Sequence, residues 1–477
     1  MATSLWSDGY LTALNYRYSY HKVLNPKRLE LALRLAGFQP PLIQQGCELG
    51  FGQGVSLAMH ATSTQVQWWG NDFLTDQVHF CQGLVNHYQG EAQLADASFE
   101  HFCAQNDLPD FDYMAIHGVW SWVSEENRQI LLDFLARKLK PGGVLYLSFN
   151  SLPRWAGMVP VRQMMLNHFS RLTASGLEAE VAIVQSLQFM QALVNHSPVF
   201  QDNFPGMAKQ LTQLSKRPVA YLAHEYFNQH WYPFSFEQVA QQMAQAQLEF
   251  ACSAEFVDSM ESLHLTAAQN ALLESAADPT QRQSMRDFMV NQGFRSGYWM
   301  KSPTRLTPHQ RVDQLMQQPV VLVDALPSEP IKVEGAAGKF QLPQKKLDPI
   351  RAALSEHTPQ TLSALATHIS STPDAPMQAI AVTQVLLAHG VLQPACHADI
   401  ESVARAQQLN LALLNRFASM PNAAIYTLVS PHTGGGISVP SEHMSILHTH
   451  SLHTPGPSLS QVEKSIIQRY QALGVVV

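Results

Sequence analysis

The sequence predicts an α/β fold: a doubly wound, Rossmann-like sheet, then a helical insertion, then a mainly helical, winged-helix-like C-terminal region. Three observations carry that reading. Short apolar strands alternate with amphipathic helices through residues 25–150, the pattern that builds a parallel sheet with helices on both faces. The first strand runs into the glycine-rich turn CELGFGQG, residues 47–54, and a crevice at the carboxyl ends of such strands is where these sheets hold ligands. Over residues 158–216 the strand signal disappears and helical periodicity remains.

The elements follow in order. Residues 25–38, NPKRLELALRLAGF, form a helix with Asn25 as N-cap, Pro26 at the first helical position and Gly37 as the stop. A strand is expected near 43–49, a second at 64–72, a third at 91–96 and a fourth at 111–118. Residues 125–143 form an amphipathic helix ending in Pro-Gly-Gly, and VLYLSFN, residues 144–150, is a fifth strand, apolar on both faces. Strands drawn from 246–256 and 293–301 are expected to close the sheet. Residues 338–349, with two prolines and three lysines, read as linker, and helices follow at 361–370 and 377–394. The least structured stretch is expected at 441–458. The expected division is a ligand-binding core over 1–157, a helical insertion over 158–216, a region completing the sheet over 217–305, a linker over 306–349 and an accessory domain over 350–477.

The chain has 477 residues, 46% hydrophobic and 14% charged, with a net charge of −7. That balance disfavours a general nucleic-acid partner or an anionic membrane surface. The C-terminal region makes the same point: residues 351–477 hold five Lys/Arg against six Asp/Glu, so a winged-helix-like module there has no phosphate-tracking face. No run of about 18 apolar residues predicts a membrane span, and the N-terminus lacks the basic and apolar segments of a signal peptide. The five scattered cysteines include no C-x-x-C pair. They read as reduced thiols of a cytoplasmic protein.

The turn at 47–54 carries the chemistry. Glu48, Gly50, Gly52 and Gly54 spell E-x-G-x-G-x-G. A dinucleotide turn needs G-x-G-x-x-G, so that a pyrophosphate rests on the helix N-terminus. Here the third glycine arrives one position early, and the acid before the turn repels a pyrophosphate. An acid there suits a cofactor with positive charge. S-adenosyl-L-methionine carries an ammonium and a sulfonium, and glycines let the backbone approach it closely. Asp72, at the end of the second strand, is placed to accept from ribose hydroxyls. Asp96, at the end of the third, is placed for an adenine amino group, or alternatively caps the helix that follows. His117 closes the fourth strand, where a methyl acceptor lies.

At DYMAIHGVWSWV, residues 112–123, the chain resembles the bacterial S-adenosylmethionine-dependent methyltransferases that carry a methyltransferase regulatory domain. Further likenesses are YRYSYHKVLNPKRL (16–29), SFNSLPRW (148–155), LAHEYFNQHWYPFSF (222–236), GFRSGYWMK (293–301) and SPHTGGGI (430–437). The resemblance implies a class I methyltransferase sheet and a protein-lysine acceptor, as in family members that methylate outer-membrane proteins before export. It also points to a homodimer. Three rivals stay open: a small-molecule acceptor, a regulatory protein that holds the cofactor without turning it over, and a nicotinamide oxidoreductase, which the G-x-G-x-G spacing and Glu48 argue against.

An amine acceptor must be neutral to attack, whereas free lysine has a pKa of about 10.4. An apolar, aromatic pocket lowers that value. Trp120, Trp122 and Trp155 are candidate walls, His117 a candidate base, and Tyr18 and Tyr20 lie on a segment placed to fold over the cofactor. No metal is expected. His224 and His230 are six apart and diverge on a helix, and the histidines between 443 and 453 lie in a Ser/Thr/Pro setting. TGGGI, residues 433–437, reads as a bend.

Overall fold

Asn25 starts the first helix, α1 (Pro26–Ala36), by accepting the Lys27 amide on its side chain, and Gly37 ends it at φ 84°. In the computed structural model, residues 19–87, 92–369, 371–419, 427–451 and 459–477 are described. Tyr18 lies outside them. Beyond α1 the chain alternates β1 (Gln45–Leu49), α2 (Val55–Ser63), β2 (Gln67–Asp72), α3 (Thr75–Asn86), β3 (Ala92–Asp96), α4 (Phe99–Cys103), β4 (Phe111–Ile116), α5 (Glu125–Lys138) and β5 (Leu139–Asn150).

The sheet closes with β6 (Leu248–Ser253) and β7 (Phe294–Lys301), giving the order β3-β2-β1-β4-β5-β7-β6. The first five strands run parallel and β7 is antiparallel to both its neighbours, with Tyr146 opposite Tyr298. Both closing strands fall inside the segments read from the sequence. Every residue of β4 is buried, as a central strand covered on both faces requires.

Residues 158–226 fold as helices, including Met158–Ala174, Ala179–Asn195 and Val219–Tyr226. They carry their own apolar core around Phe169, Leu187 and Leu211. The stretch expected as a linker is ordered instead. Residues 306–349 hold a helix Pro308–Met316, the strands β8 (Pro319–Leu322), β9 (Ile331–Glu334) and β10 (Lys339–Leu342), and the start of the helix Gln344–Leu354. The reason is pairing and burial: β8 is the middle strand between β11 (Gln360–Thr361) and β12 (Leu392–Pro394), and Val320, Val321 and Leu322 are buried. A Pro/Lys count sees neither. The helices Gln344–Leu354, Leu362–Ile369 and Ala375–His389 surround this small sheet. The last of them stops short of residue 394 because Gly390 turns left-handed at φ 96°.

TGGGI forms the turn and second strand of a hairpin, β13 (Thr427–Ser430) and β14 (Gly435–Ser438). Its glycines permit close packing: a Cβ on Gly435 falls 2.4 Å from the Tyr20 hydroxyl, and one on Gly436 falls 2.9 Å from Met59 Sδ. Asn25 Nδ2 donates to the Thr433 carbonyl at 3.0 Å. The hairpin is thereby fastened to the N-terminal segment and to α2. The region 441–458, expected to be irregular, is helical over Ser441–Ser451, with Met444 and Leu447 buried. Residues 452–458 are outside the described set. Among the described residues no helix is long and apolar enough to cross a membrane.

Candidate active site

The carboxyl ends of β1, β2 and β4 bring Glu48, Asp72 and His117 around one cavity of about 160 Å³, lined also by Gly50, Gly52 and Gly54. The three glycines all take left-handed φ values, 68°, 59° and 62°. Side chains are excluded at two of them by space as well. A Cβ on Gly50 lies 2.8 Å from Val119 Cγ2, and one on Gly54 lies 2.3 Å from Cys81 Sγ. The turn is therefore bare backbone pressed between α3 and the loop after β4.

Asp72 organises that turn. Its Oδ2 accepts the Gly52 amide at 2.8 Å and its Oδ1 the Leu74 amide at 2.9 Å. The Phe73 amide also bonds this carboxylate, whose four lone-pair sites still leave room for a ligand hydroxyl. Burial pushes the Asp72 carboxyl up to about 6, against the opposing pull of these amides. Glu48 is more extreme. Burial, and then the neighbouring Asp72 charge, push it up to about 8. Its Oε2 is buried and meets no hydrogen-bond partner among the described residues. Two buried carboxyls lining one cavity favour a cationic ligand.

His117 follows β4 and is set by the strand beside it. Its Nδ1 lies 2.9 Å from the Tyr146 hydroxyl, and Gly118 donates its amide to Ser148 Oγ at 2.8 Å. The His21 ring packs against it, centroids 4.0 Å apart. Burial holds His117 at about 3, with His21 adding to the depression, and burial holds His21 at about 4. Both rings are neutral at ordinary pH. His21 is positioned by its neighbours: Tyr113 Oη donates to the Leu24 carbonyl at 3.0 Å and Tyr298 Oη to the Val23 carbonyl at 2.7 Å. These bonds lay residues 22–24 over the sheet. The His21 amide donates to Ser56 Oγ at 2.8 Å, tying it to α2.

Not every candidate reaches the cavity. Trp120 is fully buried in the apolar core, and its Nε1 donates to Gln242 Oε1 at 3.1 Å. It is a packing residue, and Trp122 lines the cavity in its place. The run HGVWSWV turns after Gly118, so alternate aromatics face opposite ways. Trp155 donates to the Gly293 carbonyl at 2.6 Å and packs on Trp231, away from the cavity. Asp96 is exposed and accepts from Thr75 Oγ1 at 2.7 Å. At the end of β3 it is Ser98 and Phe99 that line the cavity, not Asp96. Tyr20 points to the other side of His21. It meets His60 Nε2 at 3.2 Å and lines a second cavity of about 450 Å³, which His21 and His117 also border. His21 itself carried no distinguishing signal in the sequence. Among the described residues no group of three or more His, Cys, Asp or Glu is arranged to hold a metal.

Residues 218–301 match the family described as "predicted methyltransferase regulatory domain". An uncharacterized protein of Synechocystis is 29% identical over 98% of this chain and 94% of its own length. The structure of PKMT2 from Rickettsia typhi in complex with AdoHcy superposes with a TM-score of 0.69 at 17% identity, covering 97% of this chain and 99% of that one. Another PKMT2 structure from the same organism gives 0.67 at 19% identity, over 96% and 92%. In this chain the strand order β3-β2-β1-β4-β5-β7-β6 sets a bare glycine turn flanked by buried acids at the carboxyl edge of the sheet. The chain shares its fold with these PKMT2 structures, and its residues 218–301 resemble the predicted methyltransferase regulatory domain.

Proposed function

We propose that the protein transfers a methyl group from S-adenosylmethionine to the side-chain amine of a protein lysine. The observation that carries the cofactor is the unpartnered, buried Glu48 oxygen beside Asp72 at the glycine turn. The residues fit the group: Glu48 faces positive charge, Asp72 has lone pairs for ribose hydroxyls, and the bare backbone at Gly50, Gly52 and Gly54 allows close approach. When bound, S-adenosylmethionine supplies a methyl on a sulfonium, which the amine takes with its lone pair as the carbon–sulfur bond breaks and leaves its electrons on sulfur. His117 and His21 offer a neutral wall at the strand end, so no fixed cation opposes a sulfonium there. Neutral surroundings also favour the uncharged amine. The lysine acceptor is supported by the family likeness of residues 112–123 and 222–236.

Cofactor binding is expected to release a proton. The folded values of Glu48 and Asp72, about 8 and 6, lie above the ordinary 4.5 and 3.8. The cofactor-free protein is therefore favoured by these groups below about pH 4.5 and loses that contribution as pH rises through 6 toward 8. A bound cation favours the ionised acids and reverses the loss. Affinity is expected to fall as pH drops from 8 to 6, by up to about tenfold per unit for one coupled proton. Calorimetry at pH 7 in buffers of different ionisation enthalpy reads the proton directly. Proton uptake, or an affinity flat with pH, contradicts the cation site.

The acceptor is tested by incubating the protein with deuteromethyl-labelled cofactor and bacterial extract, then mapping the label by mass spectrometry. Label on lysine side chains of proteins is the expected result. Label confined to small metabolites, or to other residue types, overturns the lysine reading.

A further inference from the structure

We propose that the second cavity is the acceptor chamber, taking a primary alkylamine that reaches the methyl donor past the His21–His117 pair. The inference rests on the first cavity being the S-adenosylmethionine site.

The two cavities share His21 and His117 as walls, and those two rings are in contact at 4.0 Å between centroids. The two cavities thus adjoin at this pair of imidazoles. The second cavity is assembled from three distant parts of the chain. The sheet gives Tyr146 and Ser296, the stretch after β6 gives Glu255 and Asp258, and the C-terminal region gives Gln393 and Ser438. The Gly435 and Gly436 contacts with Tyr20 and Met59 hold that last wall in place.

The mouth of this space carries charges of both signs, and the two acids there are its acceptors for an ammonium. Glu255 has a side chain 40% exposed and Asp258 one 21% exposed. Lys22 also lines the cavity. Behind the acids, Arg28 Nη2 meets Glu255 Oε2 at 3.1 Å, Arg286 Nη2 meets Asp258 Oδ1 at 3.3 Å, and His264 Nε2 is 3.7 Å from the same Oδ1. The arginines use Glu255 Oε2 and Asp258 Oδ1, and Asp258 Oδ2 accepts from Ser253 Oγ at 2.6 Å. Among the described residues Glu255 Oε1 accepts no side-chain hydrogen bond, and it is the atom placed to draw an ammonium. Deeper in, the wall turns to the two imidazoles and the Tyr146 phenol. There the ammonium gives its proton to water, and the amine forms its bond to the methyl carbon while the carbon–sulfur electron pair stays on sulfur. Ser438 is exposed, so the amine can be carried on a larger molecule resting on the hairpin.

The probe is an S-adenosylhomocysteine analogue with nitrogen in place of sulfur, bearing an aminobutyl chain on that nitrogen. Calorimetry compares it with S-adenosylhomocysteine on the full chain. The aminobutyl compound is expected to bind about tenfold or more tightly than S-adenosylhomocysteine. Ser438→Trp, and independently Gln393→Trp, are expected to erase that gain and leave S-adenosylhomocysteine affinity unchanged. No gain in the wild type, or a gain surviving in both variants, overturns the acceptor chamber alone. Failure of S-adenosylhomocysteine itself to bind overturns the reading of the first cavity, and this inference with it.

Discussion

Asp72→Ala is expected to weaken S-adenosylmethionine binding about a hundredfold, about 3 kcal/mol. The side chain does two jobs. It holds the Gly52 and Leu74 amides, and under the proposed function it supplies charged acceptors to the ribose hydroxyls. Hydrogen bonds to an ionised group contribute about 1.5–3 kcal/mol each, and removing the carboxylate loses the ligand's bonds and loosens the turn together. Asp72→Asn keeps one acceptor without the charge and is expected to fall between, at about tenfold. The variant also removes the charge that helps raise Glu48. The pH midpoint of binding is therefore expected to move down. Titration calorimetry with S-adenosylmethionine, S-adenosylhomocysteine and NAD measures all three effects. Preference for NAD, or an affinity untouched by either substitution, would falsify the assignment of the first cavity.

Gly54→Ala is expected to destabilise the folded protein by about 2–5 kcal/mol. A left-handed alanine costs about 1–2 kcal/mol, and overpacking adds about 1–3. At Gly54 φ is 62° and the added Cβ meets Cys81 Sγ at 2.3 Å and Cys81 Cβ at 2.8 Å. Pairing it with Cys81→Ala removes the sulfur contact but not the carbon one, so partial recovery is expected in a double-mutant cycle. Gly52→Ala is the control. Its φ is 59°, yet the nearest atom to a new Cβ, Gln77 Oε1, is 3.6 Å away. Only the conformational cost applies, about 1–2 kcal/mol. Denaturant midpoints order the three variants. Equal losses for Gly54→Ala and Gly52→Ala would show that Cys81 does not press on the turn.

The sheet was legible because its signals are local. Strand patterns at 111–116 and 144–150, the cap at Asn25 and the stop at Gly37 each depend on a few neighbouring residues. The antiparallel closing strands were legible for the same reason, as apolar runs after a strandless stretch. Residues 319–342 were not. Strands of four residues, Pro319–Leu322 and Lys339–Leu342 among them, carry too little periodicity to separate from a linker, and what orders them is partners far along the chain.

The site divides along the same line. The sequence by itself determined the acid-tipped glycine turn and placed Glu48, Asp72 and His117 at the ends of the first, second and fourth strands, because a parallel sheet delivers every strand's carboxyl end to one edge. Only the tertiary structure decided which side chains face the crevice. It turned Trp122 toward the cavity and Trp120 into the core, engaged Asp96 with Thr75, and laid His21 against His117 through two tyrosine hydroxyls. It also brought Ser438 to the same space as Tyr146, nearly three hundred residues earlier. Strand ends are set by local pattern, whereas the direction of a side chain in a loop is set by whatever packs above it.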